Sequence, residues 1–207
     1  MIDQEKYENM LWIDLISNVD ELTRISKEVW KNNHDHDEYS YTNKLQFDYM
    51  EILKLEPTLV PFHTPNISGL GQTTHDGMMR NNDIGRHEFD PSHPIHTALQ
   101  EKFNITHTQV YLNLQHPGDV CGIHIDKYRS HFTMGKYDLT KLRTKDIYSG
   151  VVFLQDWEVG QTFMTGRSNI TDWQSGDSYT FPWYVPHGSA NASAKSRYLL
   201  QFVGVLV

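Results

Sequence analysis

The sequence predicts a mainly β fold preceded by helices, with an antiparallel sandwich or barrel in its second half. Three observations carry this. From Thr106 onward, short apolar runs alternate with turn signals, among them Pro117-Gly118-Asp119, Glu158-Val159-Gly160 and Ser175-Gly176-Asp177. No helical period separates those runs, which disfavours parallel βαβ units. Before residue 106, by contrast, apolar residues fall at spacings of three and four.

In the first half, Asn18-Val19-Asp20-Glu21 can open a helix that carries Val19, Leu22, Ile25 and Val29 on one side. Leu45, Tyr49, Ile52 and Leu53 repeat the pattern until Pro57 ends it. Residues 63–88 are rich in Gly, Asn and His without periodicity and read as a long loop. Ser92 and Pro94 then introduce another helix, ending near Asn104. Strands follow near Thr108–Gln115, Gly122–Asp126, Ile147–Gln155, Gln161–Met164, Asp177–Pro182, Pro186–Ser189 and Arg197–Val205. The whole reads as a single domain over 1–207, with a helical and loop-rich flanking region (1–105) and a β core (106–207).

With 207 residues the chain can bury a sizeable core, and 12% aromatic residues argue against disorder. A net charge of -8 disfavours nucleic-acid binding by general attraction. The charge is uneven, however. Within residues 127–145, Lys127, Arg129, Lys136, Lys141, Arg143 and Lys145 face Asp138 alone, so the basic insert 127–149 reads either as a cover over a site that attracts an acidic substrate or as a solvated surface loop. The lone Cys121 cannot form an internal disulfide, and neither a leader nor a membrane-spanning run is evident, so the expected compartment is the cytoplasm.

The chemistry-bearing pattern is His124-Ile125-Asp126, then His187 after 60 intervening residues, then Arg197. On a strand, residues two apart share a face, so His124 and Asp126 would project together, while Cys121 would point away from the ligands as an inert buried thiol. His187, following Pro186, supplies a third ligand from a facing strand. Two imidazoles and a carboxylate suit non-haem Fe(II) with three open positions. Strand alternation puts Arg197, Leu199, Gln201 and Val203 on one face. If that face is interior, the Arg197 guanidinium needs an anionic partner, such as the carboxylate of an organic-acid co-substrate. The dense histidines His34, His36 and His75 lie in polar stretches and read as solvated. Trp157, Trp173, Trp183 and Tyr184 read as core and rim packing.

In these residues the chain resembles the 2-oxoglutarate/Fe(II)-dependent dioxygenase superfamily, whose signature is His-x-Asp, a distant His, and an Arg about ten residues further on. The resemblance covers about residues 106–207. It implies a double-stranded β-helix core (jelly-roll, cupin-like), with Fe(II), O2 and 2-oxoglutarate as cofactor and co-substrates. The implied activity is hydroxylation of a C–H bond of a protein side chain or small molecule, with release of succinate and CO2. His124, Asp126 and His187 would then ligate iron, and Arg197 would bind the far carboxylate of 2-oxoglutarate. Tyr111 and Asn113, on one face of an early core strand with Gln115, would support that carboxylate. Leu199 stands where some members carry Ser or Thr, which departs from the pattern. A cupin-like metal-binding module without oxygenase activity is the alternative, and it leaves Arg197 without a task.

Overall fold

A computed structural model of the chain describes residues 9–11, 24, 40–42, 60–62, 84–124, 126, 141–166, 168–182 and 185–207. In chain order its elements are β1 (Ser40–Thr42), β2 (Val60–Phe62), β3 (Ile84–Glu88), α1 (Pro94–Phe103), β4 (Ile105–Gln115) and β5 (Val120–His124). A 3-10 turn (Thr144–Asp146) follows, then β6 (Ile147–Phe153), β7 (Gln161–Thr165), β8 (Ser168–Ile170), β9 (Ser178–Pro182), β10 (His187–Asn191) and β11 (Arg197–Leu206). Two antiparallel sheets result: a seven-stranded one in the order β1-β9-β6-β11-β4-β3-β2 and a four-stranded one in the order β5-β10-β7-β8.

The long strands β4 and β11 sit at the centre of the large sheet, and their alternation divides two cores. Val110, Leu112 and Leu114 of β4 and Tyr198, Leu200 and Phe202 of β11 face outward, where Ile95, Leu99 and Phe103 of α1 cover them. The intervening residues face inward. There, Leu199 joins Val151, Phe153, Phe163, Trp173 and Phe181 between the two sheets. Trp173 stacks on Phe153 with centroids 3.9 Å apart, a packing role as expected from the sequence.

Helix α1 forms where its sequence directs. His93 caps it by accepting a hydrogen bond from Ile95 N at 3.2 Å, Pro94 occupies the first turn, and Asn104 ends it in the left-handed region at φ 52. Close approach also demands glycine: a Cβ on Gly150 would lie 2.5 Å from Tyr179 O across the β6–β9 ladder.

Several expectations need correction. Strand β3 occupies the end of the stretch read as loop, because its backbone pairs with β4 from Gly85↔Leu114 to Glu88↔Tyr111. β1, β2 and β8 are three-residue strands, too short to show a period. β5 ends at His124, so Asp126 lies beyond the strand rather than on it. Apart from Arg24, which is helical, the helices expected near residues 18–29 and 45–56, the loop residues 63–83, Trp183, Tyr184 and the segment 127–140 lie outside the described residues. The end of the basic segment is anchored: Thr144 N donates to Met10 O at 3.0 Å, and Arg143 Nη1 and Lys145 Nζ donate to Asn9. No helix among the described residues is long and apolar enough to cross a membrane.

Candidate metal centre

The three ligand residues converge between the sheets. β10 pairs with β5 so that His187 lies opposite His124, with ring centroids 4.5 Å apart. Asp126 stands between the imidazoles, with Oδ1 3.4 Å from His124 Nε2 and Oδ2 3.3 Å from His187 Nε2. One ligand atom from each residue lies within 4.8 Å of the others, a spacing that a single divalent ion can bridge.

Backbone carbonyls orient both rings. His124 Nδ1 donates to Gly122 O at 2.6 Å and His187 Nδ1 donates to Val185 O at 3.1 Å. With a proton held at Nδ1, each Nε2 faces the centre and offers its lone pair there when the ring is neutral, as metal-binding histidines require. His187 is 4% exposed, wedged against Phe181 with centroids 4.8 Å apart.

A bulge sets the register here. Between the His187↔His124 and Ser189↔Cys121 pairs, β5 has one residue more than β10. That extra residue reverses the parity expected for Cys121. Its sulfur lies 3.8 Å from His124 Nδ1, and the residue is half-buried rather than hidden on the opposite face. Gly188 admits the bulge, since a Cβ there would meet Cys121 O at 2.9 Å and Ile123 N at 3.1 Å.

The electrostatics follow from this crowding. Burial resists charge on Asp126, but pairing with His124 and His187 overrides it and holds the carboxyl well below its usual range. Burial also resists charge on His124. The adjacent Cys121 sulfur and Asp126 carboxylate outweigh it and hold His124 well above the ordinary histidine value.

Arg197 is 1% exposed and points inward from the first residue of β11. Its Nη1 crosses to the small sheet and donates to Thr162 O at 3.0 Å, and its guanidinium carbon lies 5.7 Å from the Trp173 ring centroid. Burial lowers its pKa to about 10, which still leaves it cationic near neutrality. Its Nε and Nη2 have no hydrogen-bond partner, and the same is true of Gln115 Nε2, Thr165 Oγ1 and His187 Nε2. Among the described residues these are all the buried side-chain N and O atoms without a partner, and they share one lining. Gln115 is the cross-strand partner of Arg197, Thr165 that of His187, and Ser189 Oγ donates to Gln115 Oε1 at 3.1 Å. Because buried donors are normally paired, the unpaired N–H and O–H groups of Arg197, Gln115 and Thr165 fit a buried polyatomic anion, while the His187 Nε2 lone pair faces the candidate ion site.

Tyr111 and Asn113 share the inner face of β4 with Gln115, but their polar contacts run elsewhere. The Arg86 guanidinium carbon lies 4.3 Å from the Tyr111 ring centroid. Asn113 Oδ1 accepts from Arg86 Nε at 3.0 Å, and Asn113 Nδ2 donates to Gln201 Oε1 at 3.2 Å. Gln201 Nε2 in turn donates to Asp126 Oδ2 at 2.5 Å. Thr165 and Arg86 escaped the sequence reading. Nothing local marks Thr165, and Arg86 sits in a stretch without strand pattern. Gln201 was legible only as a member of the inward face of β11.

No protein-family model matches the chain, and no curated protein matches it in sequence. Among solved structures, a prolyl-4-hydroxylase from Pseudomonas putida is similar with a TM-score of 0.50 at 14% identity, over 90% of this chain and 99% of that one. A viral collagen prolyl hydroxylase from Paramecium Bursaria Chlorella virus-1, solved as a 2OG complex, reaches a TM-score of 0.49 at 16% identity over 84% and 98% of the two chains. A cupin 2 conserved barrel domain protein from Salinispora arenicola CNS-205 reaches 0.36 at 11% identity over 61% and 78%. With its two facing antiparallel sheets and the first of these likenesses, the chain has the double-stranded β-helix, or jelly-roll, fold.

Proposed function

We propose that the chain is an Fe(II)- and 2-oxoglutarate-dependent dioxygenase that hydroxylates a C–H bond of a protein side chain or small molecule. One observation carries this reading. A His124–Asp126–His187 cluster and a fully buried Arg197 with two unpartnered N–H donors line the same interior. His124, Asp126 and His187 would hold the iron. When bound, Fe(II) with 2-oxoglutarate supplies O2 activation, one oxygen atom passing to the substrate C–H bond and the other to succinate as CO2 leaves.

The chain's own residues position and exclude. Arg197 offers Nε and Nη2 as a fork to the far carboxylate of the co-substrate, two charge-assisted hydrogen bonds that also neutralise the guanidinium's buried charge. Thr165 Oγ1 and Gln115 Nε2 add neutral donors from the facing and neighbouring strands. Tyr111 and Asn113 line the same face, and Asn113 acts there through Gln201. Phe163, Phe181 and Leu199 keep the interior apolar around these groups, which strengthens each polar contact and keeps water away. The basic segment 127–149 suits an acidic small-molecule or peptidyl substrate.

A cupin-like metal module without oxygenase activity would use the same three ligands, but it leaves the Arg197 donors unpaired. The test is aerobic turnover with Fe(II) and 2-oxoglutarate, following succinate by mass spectrometry over a panel of peptides and amino acids. Wild type should form succinate, and His187→Ala should not. Absence of succinate with every substrate, and without one, would refute the proposal.

A further inference from the structure

We infer that Arg86 and Gln201 form a directional hydrogen-bond relay that fixes the orientation of the Asp126 carboxylate for metal ligation. The inference rests on the reading of His124, Asp126 and His187 as an ion site, and it assigns two positioning residues outside the ligand set.

The need for such a relay follows from the chain path. β5 ends at His124, so Asp126 has no strand ladder to hold it. His124 and His187, by contrast, are each fixed by a carbonyl on Nδ1. A carboxylate on an irregular segment keeps one rotamer only if side chains hold it. Gln201 does so, donating Nε2 to Asp126 Oδ2 at 2.5 Å.

The direction of the relay is determined by chemistry. Arg86 can only donate and a carboxylate can only accept, so the Gln201 amide between them has one possible orientation. Its Oε1 accepts from Arg86 Nη2 at 3.0 Å and from Asn113 Nδ2 at 3.2 Å, and its Nε2–H faces Asp126. Arg86 is itself held in place, with its guanidinium carbon over the Tyr111 ring at 4.3 Å from the centroid and Nε donating to Asn113 Oδ1 at 3.0 Å. A cation bonded to the amide oxygen polarises the amide and strengthens its N–H as a donor. The relay thus crosses three adjacent strands of the large sheet, β3, β4 and β11, to reach Asp126 just past the end of β5. It also commits one carboxylate oxygen to Gln201, leaving Oδ1 for the ion.

The test uses the full chain under anaerobic conditions with Co(II) alone, titrated by its visible ligand-field absorption. Gln201→Met keeps length and volume but removes the donor. It should weaken Co(II) binding about ten- to a hundredfold and change the band shape. Arg86→Met should weaken it less. The double variant should be no weaker than Gln201→Met, because Arg86 acts through Gln201. Affinity and spectrum within twofold of wild type in Gln201→Met would overturn the relay, as would additive losses in the double variant. A merely structural role would lower the melting temperature of the metal-free protein and leave the Co(II) spectrum unchanged. Should Gln201→Met not fold, an Arg86→Met spectrum and affinity identical to wild type would overturn the relay by itself. Wild type that binds Co(II) no better than Asp126→Ala would fail at the metal site itself and take the relay with it.

Discussion

Replacing Arg197 with methionine should separate stability from function in opposite directions. The guanidinium is 1% exposed, makes one hydrogen bond (Nη1 to Thr162 O, 3.0 Å) and leaves Nε and Nη2 unpaired. The two buried unpaired donors cost about 1–3 kcal/mol each, against about 1.5–3 kcal/mol for the one charged bond lost and about 1 kcal/mol or less for an aromatic contact at 5.7 Å. Methionine fills most of the volume without a charge. The ligand-free Arg197→Met chain should therefore unfold at the same denaturant concentration as wild type or a higher one. Co-substrate binding should move the other way. Two charge-assisted hydrogen bonds at about 1.5–3 kcal/mol each amount to roughly a hundred- to ten-thousandfold in affinity. The assay is calorimetric titration of 2-oxoglutarate into Mn(II)-loaded protein, beside urea unfolding of the metal-free protein. A variant destabilised by several kcal/mol that still binds 2-oxoglutarate like wild type would refute the reasoning and make Arg197 a structural residue.

Three further outcomes follow from other parts of the molecule. Gly188→Ala places a Cβ 2.9 Å from Cys121 O, so β5 must shift from β10; stability should fall by about 1–3 kcal/mol and the metal content of purified protein with it, and full metal content would contradict this. Leu112→Ala, in the fully buried layer under α1, should cost about 2–5 kcal/mol in urea unfolding and leave metal affinity unchanged. The ion site should also be pH-dependent. In the metal-free protein, the stability that Asp126 contributes is lost as pH falls through its depressed pKa. The part that His124 contributes is full below 6.5 and is lost as pH rises through its raised pKa. An ion needs neutral His124, so Co(II) affinity should rise by about tenfold per pH unit until His124 loses its proton, with one proton released to buffer; a flat profile would contradict the assignment.

The convergence of His124, Asp126 and His187 was legible because the pattern is local: an His-x-Asp pair and a second histidine, each on a β-patterned segment, were expected to meet from facing strands. The inward face of β11 was legible too, since parity along a ten-residue strand fixes which residues share a side. What escaped depends on partners distant in sequence. β3 (Ile-Gly-Arg-His-Glu) has little strand propensity of its own and forms because β4 offers an edge. The β5 bulge adds one residue to a five-residue strand, and that single residue reverses the expected side of Cys121. Arg86 therefore reaches the centre through a strand that sequence pattern could not show, and Thr165 through a register with His187 that only the folded chain sets.

The most direct measurement is the visible spectrum of the anaerobic chain with Fe(II) and 2-oxoglutarate added together. A metal-to-ligand charge-transfer band that requires both additions, disappears in His187→Ala and weakens in Arg197→Met is the predicted result. No band in wild type, or a band indifferent to His187, would contradict the account.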